Sequence, residues 1–290
     1  MISKNFKNNQ NNIANKLILG TVQFGKSYGI SNTQNKKVNT RHQKKIFNLC
    51  KKFGINEIDT AYEYDFDINT LPKSHKWLVN TKIKIDTFST EKKIINYLKS
   101  FQKKNLILNC VYIHDEENLF TKRGKFVFNV LYKCRTKNLF NKIGVSIYNL
   151  SNIKFIIKNF KINVIQVPFN ILNTEIRKYK KILKKKDVTI HARSIFLQGL
   201  LLMKPHLLPK KFLIIKKYIL MINKKKNFFK TTLVNYLLNF VDKEECISQI
   251  LFGVHSYEHL KEIVNYKRIS KIDFNNFRFA NRKIIDPRTW

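Results

Sequence analysis

Short apolar segments alternate with longer amphipathic segments along most of the chain. The apolar segments, such as Lys16–Val22 (KLILGTV) and Leu106–Ile113, are rich in Ile, Leu and Val. That composition is typical of strands buried on both faces of a parallel sheet. The segments between them repeat apolar residues at helical spacing. The first begins at Thr40, a suitable N-cap, and ends at Gly54, a suitable C-terminal stop.

This alternation predicts parallel strands covered by helices. Eight such units in series favour an α/β fold, a (β/α)8 TIM barrel forming a single domain over residues 16–290. No G-x-G-x-x-G follows the first strand, which argues against a Rossmann domain. The strands are expected at residues 16–22, the start of 56–64, 78–85, 106–113, 142–147, 163–167, 188–192 and 248–252.

Several segments between and beyond the strands have weaker patterns. Residues 1–15 show no periodicity and are expected to form a flexible N-terminal segment. The polar segment 65–76 contains Pro72, so only a short or broken helix is expected there. Ser151 is expected to cap the helix after the fifth strand, and residues 273–283 to form a helical tail.

Four chemically distinct side chains lie at the ends of successive predicted strands. Asp59 and Tyr64 follow the second strand, Lys82 lies in the third, and His114 follows the fourth. The carboxyl ends of barrel strands share one rim, where catalytic groups collect. We therefore interpret these four residues as one catalytic site.

These groups suit proton transfer to a carbonyl oxygen. A free tyrosine has a pKa of about 10 and is a poor acid at neutral pH. The ammonium of Lys82, held by Asp59, is expected to lower the pKa of Tyr64, and His114 can orient the carbonyl. A cofactor would supply hydride. The other histidines have no metal-ligand spacing and are not predicted to be catalytic: His42, His75, His191, His206, His255 and His259.

Charge and composition define the expected partners. The chain has 56 Lys and Arg against 19 Asp and Glu, a formal charge of +37, which is compatible with a polyanion partner. However, the lysines are spread along the chain and accompany many Asn, Ile and Phe residues, as expected of an AT-rich genome. The even spread of the lysines therefore predicts no specific nucleic-acid partner. The chain has scattered cysteines, no signal peptide and no long apolar run, which predicts a cytoplasmic protein without a membrane span.

An ordered set of motifs resembles those of the aldo/keto reductase family, in a divergent bacterial branch, over about residues 16–265. The motifs are LGTVQFGKSYGI at 19–30, GINEIDTAYEY at 54–64, NTK at 80–82, YIHD at 112–115, IGVS at 143–146, IQVPFNILN at 165–173, ARSIFLQGLL at 192–201 and FGVHSYEHL at 252–260.

The resemblance implies an NAD(P)H-dependent reductase of small aldehydes or ketones, with sugar derivatives among the candidates. NADPH is the expected cofactor and NADH the alternative. Tyr64 would be the general acid, Lys82 would tune its pKa, Asp59 would pair with Lys82, and His114 would orient the carbonyl. The implied cofactor-binding residues are Thr21, Ser146, Gln166, Arg193, Ser194, Phe196, Gly253 and His259.

The chain departs from the family pattern at several positions. Ile147 stands where the family usually has Asn, and Arg193 where many members stack a Tyr on the nicotinamide; a guanidinium can also stack on a flat ring. Gly253 and His259 replace the Lys and Arg that often hold the 2′-phosphate, which leaves the choice between NADP and NAD open. The family's turn after Tyr64 is missing.

Two other functions remain compatible with the sequence. The altered segment after Tyr64 favours a cofactor-binding or regulatory barrel with little turnover. The charge of +37 favours a polyanion-binding protein. The complete set of four predicted catalytic residues favours the reductase.

Overall fold

Eight parallel strands form a closed barrel in which sequence neighbours are also neighbours in the sheet, and the last strand pairs with the first. The computed structural model describes residues 13–30, 32, 36–103, 105–274, 277, 279 and 281–290. The predicted (β/α)8 barrel is confirmed. Its strands are β1 Leu17–Gly20, β2 Glu57–Asp59, β3 Trp77–Ile83, β4 Leu106–Ile113, β5 Lys142–Ser146, β6 Val164–Pro168, β7 Thr189–Arg193 and β8 Gln249–Gly253.

The helices between the strands pack their apolar faces on the barrel, and short 3-10 helices extend several loops. No helix in the described ranges is long and apolar enough to cross a membrane. The α-helices are α1 Val22–Gly25, α2 Thr40–Phe53, α3 Glu91–Lys99, α4 Lys122–Thr136, α5 Ile153–Asn159, α6 Lys180–Lys185, α7 Lys216–Phe228, α8 Leu233–Asp242, α9 Tyr257–Val264 and α10 Arg282–Ile285.

Two helices have N-cap residues other than the predicted ones. Asn39, in extended conformation, caps α2 by accepting a hydrogen bond from the His42 N–H, so Thr40 is the first helical residue. After β5, Asn149 accepts from the Ser151 N–H and a 3-10 turn precedes α5, so Ser151 is not the cap. In both places a nearby asparagine supplies the oxygen. Gly54 ends α2 in the left-handed conformation (φ 76°), as predicted.

The predictions for the chain termini need correction. The described residues between 273 and 281 are not helical, and the tail forms the single turn of α10, which Asn281 caps, followed by a 3-10 helix at Pro287–Thr289. Residues 13–15 of the predicted flexible segment belong to a 3-10 helix that buries Ile13. Residues 1–12 of that segment lie outside the described residues.

Polar and aromatic side chains fill the lower barrel interior. Asn80 and Asn109 both donate to one carboxylate oxygen of Glu57, at 2.7 and 3.0 Å. Higher in the barrel, the Tyr112 hydroxyl lies 2.8 Å from His191 Nδ1. Gly144 accommodates Tyr112, because a Cβ at this position would lie 2.4 Å from the tyrosine ring. The open space of the barrel therefore lies above this layer, at the carboxyl ends of the strands.

Candidate active site

A cavity opens at the carboxyl ends of the strands. Asp59, Tyr64, Lys82 and His114 all line it, so the structure brings the four predicted catalytic residues together. Seven of the eight predicted cofactor residues also line it: Ser146, Gln166, Arg193, Ser194, Phe196, Gly253 and His259.

Thr21 is the exception among the predicted cofactor residues. Its side chain is fully buried, and its hydroxyl donates to the Asp59 carbonyl oxygen at 3.1 Å. The Thr21 N–H donates to the same oxygen at 3.0 Å. Thr21 therefore ties β1 to the end of β2 behind the cavity and does not form its wall.

The Asp59 carboxylate contacts two different functional groups. One oxygen accepts from the Lys82 ammonium, and the other accepts from the Gln166 side-chain amide at 2.8 Å. The Asp59 and Lys82 side chains are 1% and 2% exposed, so neither charge can be satisfied by water. Burial lowers the pKa of Lys82, while the Asp59 charge opposes that shift. The carboxylate thus holds the ammonium in a fixed position.

Tyr64 ends the 3-10 helix Tyr62–Tyr64 and lies beside this ion pair, with its ring centroid 5.3 Å from Lys82 Nζ. Burial and then the Asp59 charge raise the pKa of Tyr64. This direction is opposite to the lowering expected from Lys82, because burial of the phenol has the largest effect on its pKa. Tyr64 consequently keeps its proton at neutral pH.

His114 follows β4 and faces the phenol. The two rings are nearly perpendicular, with centroids 6.2 Å apart. His114 Nδ1 lies 3.5 Å from a Glu63 carboxylate oxygen, within ion-pair range but not aligned as a hydrogen bond. Burial alone would raise the pKa of Glu63, but His114 and neighbouring groups hold it below its usual value. Glu63 thus keeps a negative charge behind the imidazole.

The hydrogen bonding of Gln166 indicates whether the cavity fits a nicotinamide. Its amide nitrogen is fixed by Asp59, while its buried Oε1 has no hydrogen-bond partner among the described residues. Buried polar atoms normally have partners, so this oxygen is suited to accept a hydrogen bond from a ligand. The β5–β6 register places Ser146 beside Gln166. A carboxamide such as that of nicotinamide, which both donates and accepts, fits this pair.

Comparison with known families agrees with this geometry. The sequence model of the aldo/keto reductase family matches residues 16–278. The chain belongs to this family. It is therefore an NAD(P)-dependent oxidoreductase of small carbonyl compounds.

Solved structures with the same fold include two bacterial members of the family. The aldo-keto reductase AKR11C1 from Bacillus halodurans, in its holo form, is 14% identical, with a TM-score of 0.68 and 88% of each chain covered. The glycerol dehydrogenase AKR11B4 from Gluconobacter oxydans is 17% identical, with a TM-score of 0.63 and 88% of each chain covered. A comparison with curated protein sequences found no match.

Tyr148 is a residue of this aldo/keto reductase that the sequence did not single out. Its ring lies between two guanidinium groups, at 3.8 Å from Arg193 and 3.7 Å from Arg288. Asp286 holds Arg288 at 2.6 Å. The buried carboxylate of Glu116 accepts from the Tyr148 N–H at 2.9 Å. The C-terminal segment thereby fixes the cavity wall, a relationship that sequence spacing does not reveal.

The cavity extends from the barrel mouth past β8 to α9. His255, His259 and Glu262 line this second part, and the two imidazole centroids are 6.2 Å apart. Burial, followed by the proximity of His259, lowers the pKa of His255. Among the described residues that line the cavity, the Lys and Arg side chains are Lys82 and Arg193, both from the barrel strands. His255 and Glu262 were not predicted as site residues.

Proposed function

We propose that this protein uses NAD(P)H to reduce an aldehyde or ketone, with Tyr64 as the general acid. The observation that carries the proposal is the double contact of Asp59 with Lys82 and Gln166. One carboxylate holds both the ammonium beside the proton donor and the amide suited to nicotinamide. The positions of proton donor and hydride donor are thereby coupled through one side chain.

Each residue of the site has a separate role in the proposed reaction. When bound, the reduced nicotinamide supplies a hydride to the carbonyl carbon. Tyr64 gives its proton to the carbonyl oxygen as that oxygen gains negative charge, and His114 orients the oxygen toward the phenol. Lys82 stabilises the phenolate that remains. Because the pKa of Tyr64 is raised, the phenol stays protonated until the carbonyl oxygen becomes basic.

Within this function we propose that NADH is preferred over NADPH at neutral and alkaline pH, in place of the expected NADPH. The family resemblance puts the 2′-phosphate near Gly253 and His259. This part of the cavity presents His255 and Glu262, and its described lining residues include no Lys or Arg. The burial that lowers the pKa of His255 favours its neutral form. A doubly charged phosphate would therefore meet a carboxylate without a permanent cation.

Nucleotide titration and steady-state kinetics test the proposed reaction. NADH and NADPH would be titrated into the protein by fluorescence, and a panel of aldehydes, ketones and sugar derivatives would then be assayed for oxidation of the bound nucleotide. Tyr64→Phe should bind nucleotide normally and lose roughly 10²–10⁴-fold in kcat/KM. Tyr62→Phe is the matched control, since Tyr62 does not line the cavity.

The outcomes separate the competing functions. If neither nucleotide binds at millimolar concentration, the reductase proposal is lost. Normal binding without turnover of any carbonyl would indicate the cofactor-binding barrel instead. A Tyr64→Phe enzyme as fast as wild type would show that the acid is misassigned.

The nucleotide preference has its own test. At pH 8 the wild type should bind NADH more tightly than NADPH, and His259→Arg should raise NADPH affinity while leaving NADH affinity nearly unchanged. The arginine restores a permanent cation for the phosphate. Tighter binding of NADPH by the wild type at this pH would contradict the proposal.

A further inference from the structure

Several large apolar side chains are exposed in the segment that follows β7 and ends with α7. Six of the eleven large hydrophobic residues exposed in the described structure fall between residues 207 and 228: Leu207, Leu213, Ile214, Leu220, Met221 and Phe228. Phe228 is 80% exposed. Single exposed apolar residues need no explanation, but a cluster of them marks an interaction surface. We call the exposed residues of 204–230 the lysine-rich face.

The apolar side chains of this face lie outside the buried core. In α7 the side chains packed on the protein are Ile219 and Ile222, while Leu220 and Met221 point away from it. Lys217 and Lys224 share the outer side with them at helical spacing. The helix therefore has one apolar surface for the core and a second surface that combines apolar side chains with ammonium groups.

The charge of this face has one sign. Residues 188–241 contain no Asp or Glu. Of the lysines, Lys225 pairs with Asp273 at 2.8 Å, and Lys217 and Lys224 are exposed. Residues 204–230 contribute nine of them, at positions 204, 210, 211, 216, 217, 224, 225, 226 and 230.

The combination of charge and apolar surface indicates the partner. Leu, Ile and Phe side chains beside lysines are the composition of segments that lie in the headgroup region of bilayers, where the apolar groups reach the acyl chains and the lysines attract anionic lipids. We propose that the lysine-rich face docks this protein on membranes that contain anionic lipids. The docking is peripheral, since no described helix is long and apolar enough to span.

Two other partners fit the face less well. A second copy of the chain would place like-charged surfaces against each other, and like charges in contact are repulsive. A nucleic acid would pair with the lysines, but its phosphates would leave Leu220, Met221 and Phe228 without apolar contacts. A lipid surface satisfies both kinds of side chain at once.

The proposed surface is separate from the active site. None of the six exposed apolar residues lines the cavity. The chain runs from the cavity wall at Ile195–Leu202 directly into the face. The test of membrane docking is therefore independent of the test of reductase activity.

Vesicle sedimentation with the full chain tests the proposal. The protein should bind vesicles of phosphatidylcholine with 30% phosphatidylglycerol far better than vesicles of phosphatidylcholine alone, and 0.5 M NaCl should weaken the binding. Lys217→Gln combined with Lys224→Gln should lower the partition coefficient by about 30-fold, because each lysine near an anionic surface contributes roughly fivefold.

The apolar contribution needs a separate variant. Leu220→Ser, Met221→Ser and Phe228→Ser together should weaken binding at least tenfold while leaving every lysine in place. Phe126→Ser with Phe155→Ser is the matched control, because those rings are similarly exposed on α4 and α5, and it should bind like the wild type. The fold of each variant would be checked by thermal unfolding.

Three results would overturn the proposal. The first is equal binding to neutral and anionic vesicles. The second is a triple serine variant that binds anionic vesicles like the wild type, which would show simple adsorption of a highly basic protein. The third is a loss of affinity for duplex DNA, but not for vesicles, in the variant with Lys217→Gln and Lys224→Gln. That result would assign the face to nucleic acid.

Discussion

The carboxylate of Asp59 and the ammonium of Lys82 form an ion pair in which both side chains are almost fully withdrawn from water. Asp59 is the last residue of β2 and Lys82 lies within β3, so their contact depends on the register of these neighbouring strands. Each group is the direct charged partner of the other, and a buried charge without a partner is strongly unfavourable. The pair should therefore support both the stability and the chemistry of the protein.

A double-mutant cycle of Asp59→Asn, Lys82→Met and the double variant separates these two contributions. Lys82→Met should destabilise the protein by roughly 3–5 kcal/mol, because it leaves the Asp59 carboxylate buried without its cation. Asp59→Asn/Lys82→Met should regain much of this loss in urea unfolding, since neither charge remains. Activity should stay absent in both. A double variant no more stable than Lys82→Met would contradict the pairing as the source of the loss.

The stack of Arg193, Tyr148 and Arg288 leads to a prediction about nucleotide binding. Tyr148 contacts one face of the Arg193 guanidinium, and we expect the nicotinamide ring to contact the other. Arg193→Gln should weaken nucleotide binding by about 3- to 30-fold, the range of a cation–π contact. Arg193→Tyr, which restores a flat ring, should bind better than the glutamine variant. Equal affinities of the two variants in fluorescence titration would show that Arg193 does not stack.

The fold was predictable because local pattern and tertiary position agree along most of the chain. The bounds of β4 at Leu106–Ile113 match the apolar segment, and Gly54 ends α2 in the predicted conformation. The helix caps shifted to Asn39 and Asn149 because several adjacent residues can supply a capping oxygen. The tail predicted to be helical over 273–283 is not helical at the described residues before Arg282, where α10 begins, since polar-aromatic composition alone carries no helical period.

The location of the candidate site was predictable for the residues at strand ends, but not for those whose contacts join distant segments of the chain. The strand ends place four side chains at one rim of the barrel, where they line the same cavity: Asp59, Tyr64, Lys82 and His114. The contact of Tyr148 with Arg288 depends on how the C-terminus returns to the barrel, which no local pattern contains. The raised pKa of Tyr64 likewise follows from burial, a property of the folded protein.

His191 should make stability depend on pH in the acid range. Its ring is 2% exposed, and burial, with smaller effects of Lys142 and Lys82, lowers its pKa to about 3. In the unfolded chain its pKa is about 6.5, so the unfolded state binds the extra proton between these values. The His191 contribution is complete above pH 6.5 and is lost as the pH falls toward 3.

Urea unfolding from pH 4 to 7 measures this contribution. In the wild type, protonation of His191 in the unfolded state should lower the free energy of unfolding by about 1.4 kcal/mol for each pH unit below pH 6. His191→Gln, which can still hydrogen-bond Tyr112, should flatten the curve by that slope. His42→Gln, at an exposed histidine, is the control. A His191→Gln curve parallel to the wild type would show that His191 is not buried in its neutral form.

The backbone of Gly25 packs against the segment that carries Tyr64, the proposed proton donor. A Cβ on Gly25 would lie 1.8 Å from the Tyr64 carbonyl oxygen and 2.6 Å from the Asp65 carbonyl carbon. Both obstacles are backbone atoms, so Gly25→Ala must displace the segment that carries Tyr64. We expect at least a tenfold loss of kcat, because the proposed proton donor moves from its place beside Lys82 and His114. Overpacking should also destabilise the protein by about 1–3 kcal/mol.

Gly54→Ala supplies the matched control for Gly25→Ala. Gly54 adopts φ +76° with nothing within 4 Å of a new Cβ, so alanine should cost about 1–2 kcal/mol of backbone strain and move no catalytic group. Both variants would be measured for unfolding free energy and for kcat with saturating nucleotide. A loss of kcat confined to Gly25→Ala would show that α1 sets the position of Tyr64. Equal kcat values in the two variants would show that Tyr64 is positioned without α1.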